Sequence, residues 1–284
     1  MERRQIGTVK ALWRFPVKSM LGEQLDELHI NSRGVVGDRA WALRELENKR
    51  VASAKKFVGL LKFHAVYEGT PDPADPEKLP PVRITLPDGR SIHAADTNAS
   101  ETISEALGHK FQLEHSPHPA GERAGIDTHT IFGDVPFEKV FPGLTADKAP
   151  DFFNLHKNSY LDSAAFHLIA SGTLSYMRGL SEGKSDFDYR RFRANLLVDT
   201  GNDASGFVED SWLNGVLEIG EGVKITGIQP ALRCVMTTHQ QQDLPRDLAI
   251  LRATVQRHQA NLGAFTSVEG DGKVHLGDPV FLVK

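Results

Sequence analysis

The chain has 284 residues, 40% of them hydrophobic and 25% charged, the composition of a soluble globular protein large enough for one large or two ordinary domains. A formal charge of −4 gives no general attraction to phosphate backbones, so nucleic acid is not an expected partner. Arg3, Arg4 and Lys10 are followed by no signal-peptide core, and no apolar run approaches the roughly 18 residues of a membrane span, so a cytoplasmic protein with no membrane partner is expected.

Ile6 to Val17 alternates loosely around Ile6, Val9, Leu12 and Phe15, which predicts a half-buried strand delivering Lys18 and Ser19 at its C-terminal end. Strands are predicted at Leu25 to Ile30 and Ala40 to Arg44, joined through a turn containing Gly34, Gly37 and Asp38. Arg39 follows that turn, either as a surface loop arginine or as a functional guanidinium at the start of a strand anchored by Trp41. A strand at Lys62 to Tyr67, a proline-rich loop from Thr70 to Pro81 and a hairpin across Pro87-Asp88-Gly89-Arg90 come next. Asn98 with Glu101 reads as a capping box opening a helix to Leu107, with Gly108 as its stop.

His115 to Arg123 is polar and rich in turn formers, and is predicted to link two domains, residues 1–118 and 119–284. His115 and His118 have metal-like spacing, but no further ligands join them, and a solvated linker pair is expected. Asp162 precedes the apolar run Phe166 to Ala170, either as a turn residue or as a paired carboxylate. A helix capped by Ser171 or Thr173 is predicted to follow as far as Leu180. Arg190, Arg191 and Arg193 abut the predicted strand Leu196 to Asp199, placing at least one guanidinium where its fork can hold a phosphate or carboxylate.

Val216 to Ile219 and Val223 to Ile228 are predicted strands, with Pro230 interrupting the ladder and Cys234 at or just past the strand end. Arg246 to His258 is predicted as an amphipathic helix presenting Leu248, Leu251 and Val255 on one face, and Glu269-Gly270-Asp271-Gly272 as a hairpin turn. A last strand is expected at Val280 to Val283. Many short strands with few helices predict an α+β, strand-rich protein built from β-barrel-like domains.

Cys234 is the only cysteine, which excludes an internal disulfide, a CxxC zinc site and a Cys-ligated iron–sulfur cluster within the chain. Electrons would have to come from another molecule. Arg233 beside it would favour a thiolate, a nucleophile or soft-metal ligand, if the two share an environment; the competing reading is a buried, inert cysteine.

Six segments carry a resemblance: Phe15-Pro16-Val17-Lys18-Ser19, Gly37-Asp38-Arg39-Ala40-Trp41, Arg191-Phe192-Arg193-Ala194-Asn195, Glu209-Asp210-Ser211-Trp212, Arg233-Cys234-Val235-Met236-Thr237-Thr238 and Gly277-Asp278-Pro279-Val280. In order and spacing they resemble the MOSC family, the domain of molybdenum cofactor sulfurase C-termini, in the two-domain form with an N-terminal β-barrel domain shared by YcbX-like proteins and the mitochondrial amidoxime reducing component.

The resemblance implies a molybdenum cofactor (Mo-molybdopterin) between the two domains, with Cys234 as metal ligand. It further implies that Lys18, Ser19, Arg39, Arg193, Asn195 and Thr237 hold the pterin and its phosphate, and that Asp162 lies near the exchangeable oxygen position as the second catalytic residue. Pyridoxal phosphate binding stays open. The implied activity is reduction of N-hydroxylated small molecules. Because no C-terminal ferredoxin domain follows, the electron donor is expected to be a separate protein of ferredoxin or flavin/haem reductase type. The alternative is a non-redox carrier of sulfur, as a persulfide on Cys234, or of the cofactor. The chain departs from relatives in placing His239-Gln240-Gln241 where Val-Asp-Pro often follows the paired threonines, in Ala194 where they carry Pro, and in Ala164 and Ala165 after Asp162.

Overall fold

The computed structural model describes residues 2–75, 78–116, 159–161, 164–202 and 204–284. Its contacts divide it into two units interleaved along the chain: residues 1–14, 24–36 and 164–284 form one, and residues 15–23 and 37–163 the other.

The first unit is a closed seven-stranded barrel. Its strands run in the order β11 (Leu196–Asp199), β10 (Phe166–Ala170), β14 (Asn261–Glu269), β13 (Val223–Leu232), β12 (Val216–Ile219), β16 (Pro279–Val283) and β1 (Arg3–Arg14). Closure comes from β1, which pairs with β16 through its first half and with β11 through its second, shifting register at irregularities between Gln5 and Gly7 and between Val9 and Ala11. Gly7 is required at that crossover, because a Cβ there would lie 2.3 Å from the Asp199 carbonyl oxygen. Side chains alternate along the strands. Phe166, Leu168, Ala170, Leu196 and Val198 join Leu12, Trp212, Leu217, Ile225 and Val280 in one core. Ile169 and Leu197 point the other way, into a second core with Met177, Phe187, Phe192 and Ile250. A small sheet of β15 (Gly272–His275), β3 (Glu27–Asn31) and β4 (Gly34–Val35) completes the unit.

The second unit pairs β5 (Trp41–Glu45) with β9 (Phe111–His115) and stacks β6 (His64–Tyr67), β7 (Val82–Thr85) and β8 (Ser91–His93) in an antiparallel meander. Its described α-helix is α1 (Ala99–Leu107), closed by Gly108 in the left-handed conformation at φ 65°.

Several sequence expectations change here. β1 ends at Arg14, so Lys18 and Ser19 lie in a turn beyond it. Asn98 stands at the α1 N-cap without a side-chain cap bond, so the capping box is not formed. His115 is not in a linker. It ends β9 opposite Trp41, with the two rings 4.7 Å apart, and His118 lies outside the described residues. Pro230 does not stop β13, which runs on to Leu232 by shifting register on either side of it; such an irregularity tolerates the missing donor. Residues 269–272 do not make a hairpin, since β14 pairs with β13 and β10 while β15 pairs with β3. The last helix is shorter than expected, Ala249–His258, and buries Ile250 and Thr254; Leu248 and Val255 are each 51% exposed. The helix preceding β11, Ser171–Leu180, follows Ala170 directly and has Ala170 as its N-cap.

Candidate active site

Two of the sequence motifs are knitted together in the second unit. The Phe15 amide donates to Asp38 Oδ1 at 2.7 Å, the Arg39 amide to the Phe15 carbonyl at 2.7 Å, the Trp41 amide to the Pro16 carbonyl at 3.0 Å and the Lys18 amide to the Trp41 carbonyl at 2.8 Å. Asp38 also holds the Arg39 guanidinium, which lies 4.4 Å from the Phe15 ring centroid. Gly37 allows this turn, with φ at +81° and no room for a Cβ against the Tyr67 ring 2.9 Å away. Lys18 is buried and reaches the Tyr160 carbonyl with Nζ at 2.9 Å, while Ser19 Oγ accepts the Ala54 amide at 3.1 Å. Tyr160 itself is buried, and desolvation with the nearby Glu114 carboxylate pushes its phenol well above the ordinary range.

In the barrel unit the three neighbouring arginines have three different tasks. Arg190 is engaged by two carboxylates, Asp188 and Asp243, which raise its pKa despite partial burial. Arg191 is 1% exposed and donates to carbonyls, those of Asp186 at 3.0 Å, Pro245 at 2.9 Å and His239 at 3.4 Å. Arg193 closes the 3-10 turn Tyr189–Phe192 in the left-handed conformation at φ 54°, and its side chain is buried. Asn195 then brackets Trp13: its carbonyl accepts the Trp13 amide at 2.8 Å and its Nδ2 donates to the Trp13 carbonyl at 3.2 Å.

Cys234 lies two residues past β13, part-exposed, in extended backbone at φ −125°, and starts the 3-10 turn Val235–Thr238. Thr237 closes that turn by donating its hydroxyl to the Cys234 carbonyl at 3.0 Å. Beside the thiol, Arg233 is buried between the Phe192 and Phe265 rings, each centroid 5.5 Å from the guanidinium carbon. Burial pushes its pKa down to about 9, with Cys234 and Glu209 pulling it back up, so the guanidinium remains charged at neutral pH. Glu209 is itself buried, and desolvation raises its pKa; its oxygens accept from the Ala170 amide at 2.8 Å and from the Thr173 hydroxyl. His239 is buried, its Nε2 has no hydrogen-bond partner among the described residues, and desolvation followed by the Arg246 charge lowers its pKa.

Lys18, Ser19 and Arg39 therefore belong to one unit, and Arg193, Asn195, Cys234 and Thr237 to the other; Asp162 lies outside the described residues. Sequence reasoning missed Asp38 as the Arg39 counter-ion, Arg191 as a carbonyl clamp, and His167 as a partner of Arg233. A histidine inside the apolar run 166–170 was the one available signal.

The residues match two family models, the MOSC N-terminal beta barrel domain over residues 6–118 and the MOSC domain over residues 155–281. The chain is a two-domain MOSC protein. It is similar to "Mitochondrial amidoxime reducing component 2" of Rattus norvegicus, at 23% identity over 98% of this chain and 84% of that protein. It is also similar to "Mitochondrial amidoxime-reducing component 1" of Homo sapiens, at 23% identity over 99% of this chain and 84% of that protein. Among solved structures it aligns with the YUAD protein from Bacillus subtilis at 12% identity and a TM-score of 0.43, covering 99% of this chain and 97% of that one. Among the described residues no helix is long and apolar enough to cross a membrane.

Each unit of this MOSC protein carries cations withdrawn from water, and the barrel unit the single thiol, the kinds of group that a phosphate-bearing metal cofactor would need. Lys18, Arg39 and Arg193 are cations largely withdrawn from water; Asp38 already neutralises Arg39, and the Tyr160 carbonyl accepts from Lys18. Ser19, Arg39 and Arg193 all have left-handed backbone, at φ 67°, 49° and 54°, a conformation that non-glycine residues adopt chiefly where the surroundings enforce it. Cys234 contributes the one thiol, a soft donor, outside the packed cores.

Proposed function

We propose that this MOSC protein is a molybdenum-cofactor oxidoreductase that removes oxygen from N-hydroxylated small molecules using electrons from a separate donor protein. The observation that carries the reading is a part-exposed Cys234 beside a buried, charged Arg233, in a chain similar over 98% of its length to a protein named for amidoxime reduction. Lys18, Arg39 and Arg193 would bind the pterin phosphate, Ser19, Asn195 and Thr237 would orient the pterin, and Cys234 would ligate the metal as a thiolate. When bound, the cofactor would supply electron transfer to and oxygen abstraction from the substrate. In the balanced reaction the N–O bond breaks, two electrons and two protons enter, and the amine-type product leaves with water. Asp162 would hold or pass one of those protons. The division at 118/119 and a cytoplasmic location belong to the same proposal.

The test is metal and pterin analysis of protein made in a host that synthesises the cofactor, followed by an assay of aromatic amidoxime reduction with an artificial electron source. Molybdenum, pterin and turnover together support the oxidoreductase. Metal-free protein carrying a thiol-removable persulfide and showing no reduction would replace it with the sulfur carrier.

A further inference from the structure

His167 occupies the crossing of the two barrel segments that carry candidate cofactor residues. It lies in β10, all five of whose residues are buried, on the same face as Ile169 and opposite Phe166, Leu168 and Ala170. Its carbonyl accepts the Asn195 amide at 2.8 Å, which fixes the chain just after the left-handed Arg193. Its imidazole Nε2 is hydrogen-bonded to Arg233 Nη2. A guanidinium carries only donors, so Nε2 must accept, and the ring proton belongs on Nδ1.

Arg233 is held from every side in turn. Its amide donates to the Ala260 carbonyl at 2.7 Å, Nε donates to the Leu262 carbonyl, and Nη1 donates to the Phe192 carbonyl at 3.4 Å. Space for the contact with His167 depends on Gly263, where a Cβ would lie 2.9 Å from Arg233 Nη2 and 3.0 Å from His167 Nε2, and where φ is +83°. One residue on a rigid strand thus grips the Arg193–Asn195 segment with its backbone and the Arg233–Cys234 segment with its side chain.

We propose that His167 is a positioning residue that sets Cys234 against the Arg193–Asn195 turn, acting through Arg233. One candidate segment turns into the sheet at β11 and the other turns out of it after β13, and His167 adds to the bonds each makes on its own a shared anchor in β10. Tying both to β10 makes their separation a property of the barrel, as partners one step removed from a metal ligand do elsewhere. The consequence for cofactor retention rests on the proposed ligation by Cys234, so the first readout is taken on metal-free protein and can fail separately.

That readout is amide hydrogen exchange in His167→Phe and His167→Gln. A glutamine oxygen can still accept from Arg233; a phenyl ring cannot. His167→Phe keeps the backbone bond to Asn195, so it is expected to speed exchange over residues 232–238, by about tenfold or more, while residues 190–195, β12 and β16 keep their wild-type protection. His167→Gln should stay near wild type. In the loaded protein, His167→Phe should retain roughly tenfold less molybdenum. Wild-type exchange over residues 232–238, or an equal rise throughout the barrel, overturns the proposal. Faster exchange with unchanged metal content leaves the positioning role intact and counts against Cys234 as ligand. If His167→Phe does not fold, the imidazole nitrogen resonances of the wild-type protein decide. A bare Nε2 with protonated Nδ1 supports the contact, and a proton on Nε2 overturns it.

Discussion

Asp38 and Phe15, 23 residues apart in sequence, are joined by a hydrogen bond of 2.7 Å from the Phe15 amide to a carboxylate whose side chain is fully buried. The same carboxylate neutralises Arg39, so one side chain fixes both motif segments of the second unit and sets the place of a candidate phosphate-binding guanidinium. Asp38→Ala is expected to cost about 3–5 kcal/mol, because it leaves a largely buried cation without its counter-ion. Urea melts of the metal-free protein would measure this, and a loss below about 1 kcal/mol would show that the pair is effectively solvated.

Arg191 makes a different kind of contribution. Three carbonyls depend on it, and two of them, His239 and Pro245, lie in the segment following the Cys234 turn. Arg191→Met keeps much of the volume and removes every donor, with an expected loss of about 2–4 kcal/mol. If denaturation midpoints were unchanged, water would have to be satisfying those carbonyls.

The two arginines proposed to bind the cofactor should behave otherwise. Arg39→Ala and Arg193→Ala are each expected to weaken cofactor retention by about 1.5–3 kcal/mol, the worth of a charge-assisted hydrogen bond, while leaving the protein folded. Pterin content measured after gel filtration is the check; full retention in both variants would remove these residues from the site. If Cys234 ligates a metal as proposed, Cys234→Ser should alter that metal's spectroscopic signature and abolish the proposed amidoxime reduction, since a hydroxyl is a harder and far less acidic ligand. An unchanged signature would return Cys234 to the role of an inert thiol.

Stability should also carry two pH signatures of opposite sign. The His239 pKa lies below its unfolded value of 6.5, so the folded chain binds fewer protons, and stability is lost as pH falls from 6.5 through the folded pKa. His239→Phe should flatten that acid-side loss and, by removing an unpaired buried nitrogen, should not destabilise at pH 7.

Glu209 has a pKa raised above 4.5, so the folded chain binds more protons, and its contribution is lost as pH rises from 4.5 through the folded pKa. Relative to wild type, Glu209→Gln should therefore gain stability with rising pH. Paired urea melts at pH 5 and pH 8 read both slopes, and parallel curves for variant and wild type would refute either assignment.

Much of the barrel was legible in the sequence because its strands are short, apolar and bounded by turn formers. Phe166–Ala170, Leu196–Asp199 and Val216–Ile219 fall at the predicted positions, and Cys234 lies just past a strand end as expected. The short motifs, taken in order, also carried the family. What failed was whatever depends on a partner distant in sequence. Periodicity places Leu248, Leu251 and Val255 on one face of a helix but does not say which face meets the sheet, and the structure turned Ile250 and Thr254 inward. Turn chemistry between residues 269 and 272 signals a reversal, but strand choice is settled by the edge left open, and β15 found β3.

The sequence by itself determined the strand-rich class, the two-domain family and the single thiol, since these follow from local composition, spacing and the count of one residue type. Only the tertiary structure decided which polar side chains pair. Arg190, Arg191 and Arg193 are identical in local chemistry, and become a carboxylate-paired surface group, a carbonyl clamp and a buried left-handed cation through what the fold brings to each. His167 is an unexplained polar residue in an apolar run until β14 and the turn after β13 bring Arg233 to it. Burial makes these contacts consequential, because a buried polar group left without its partner costs free energy that no local pattern reveals.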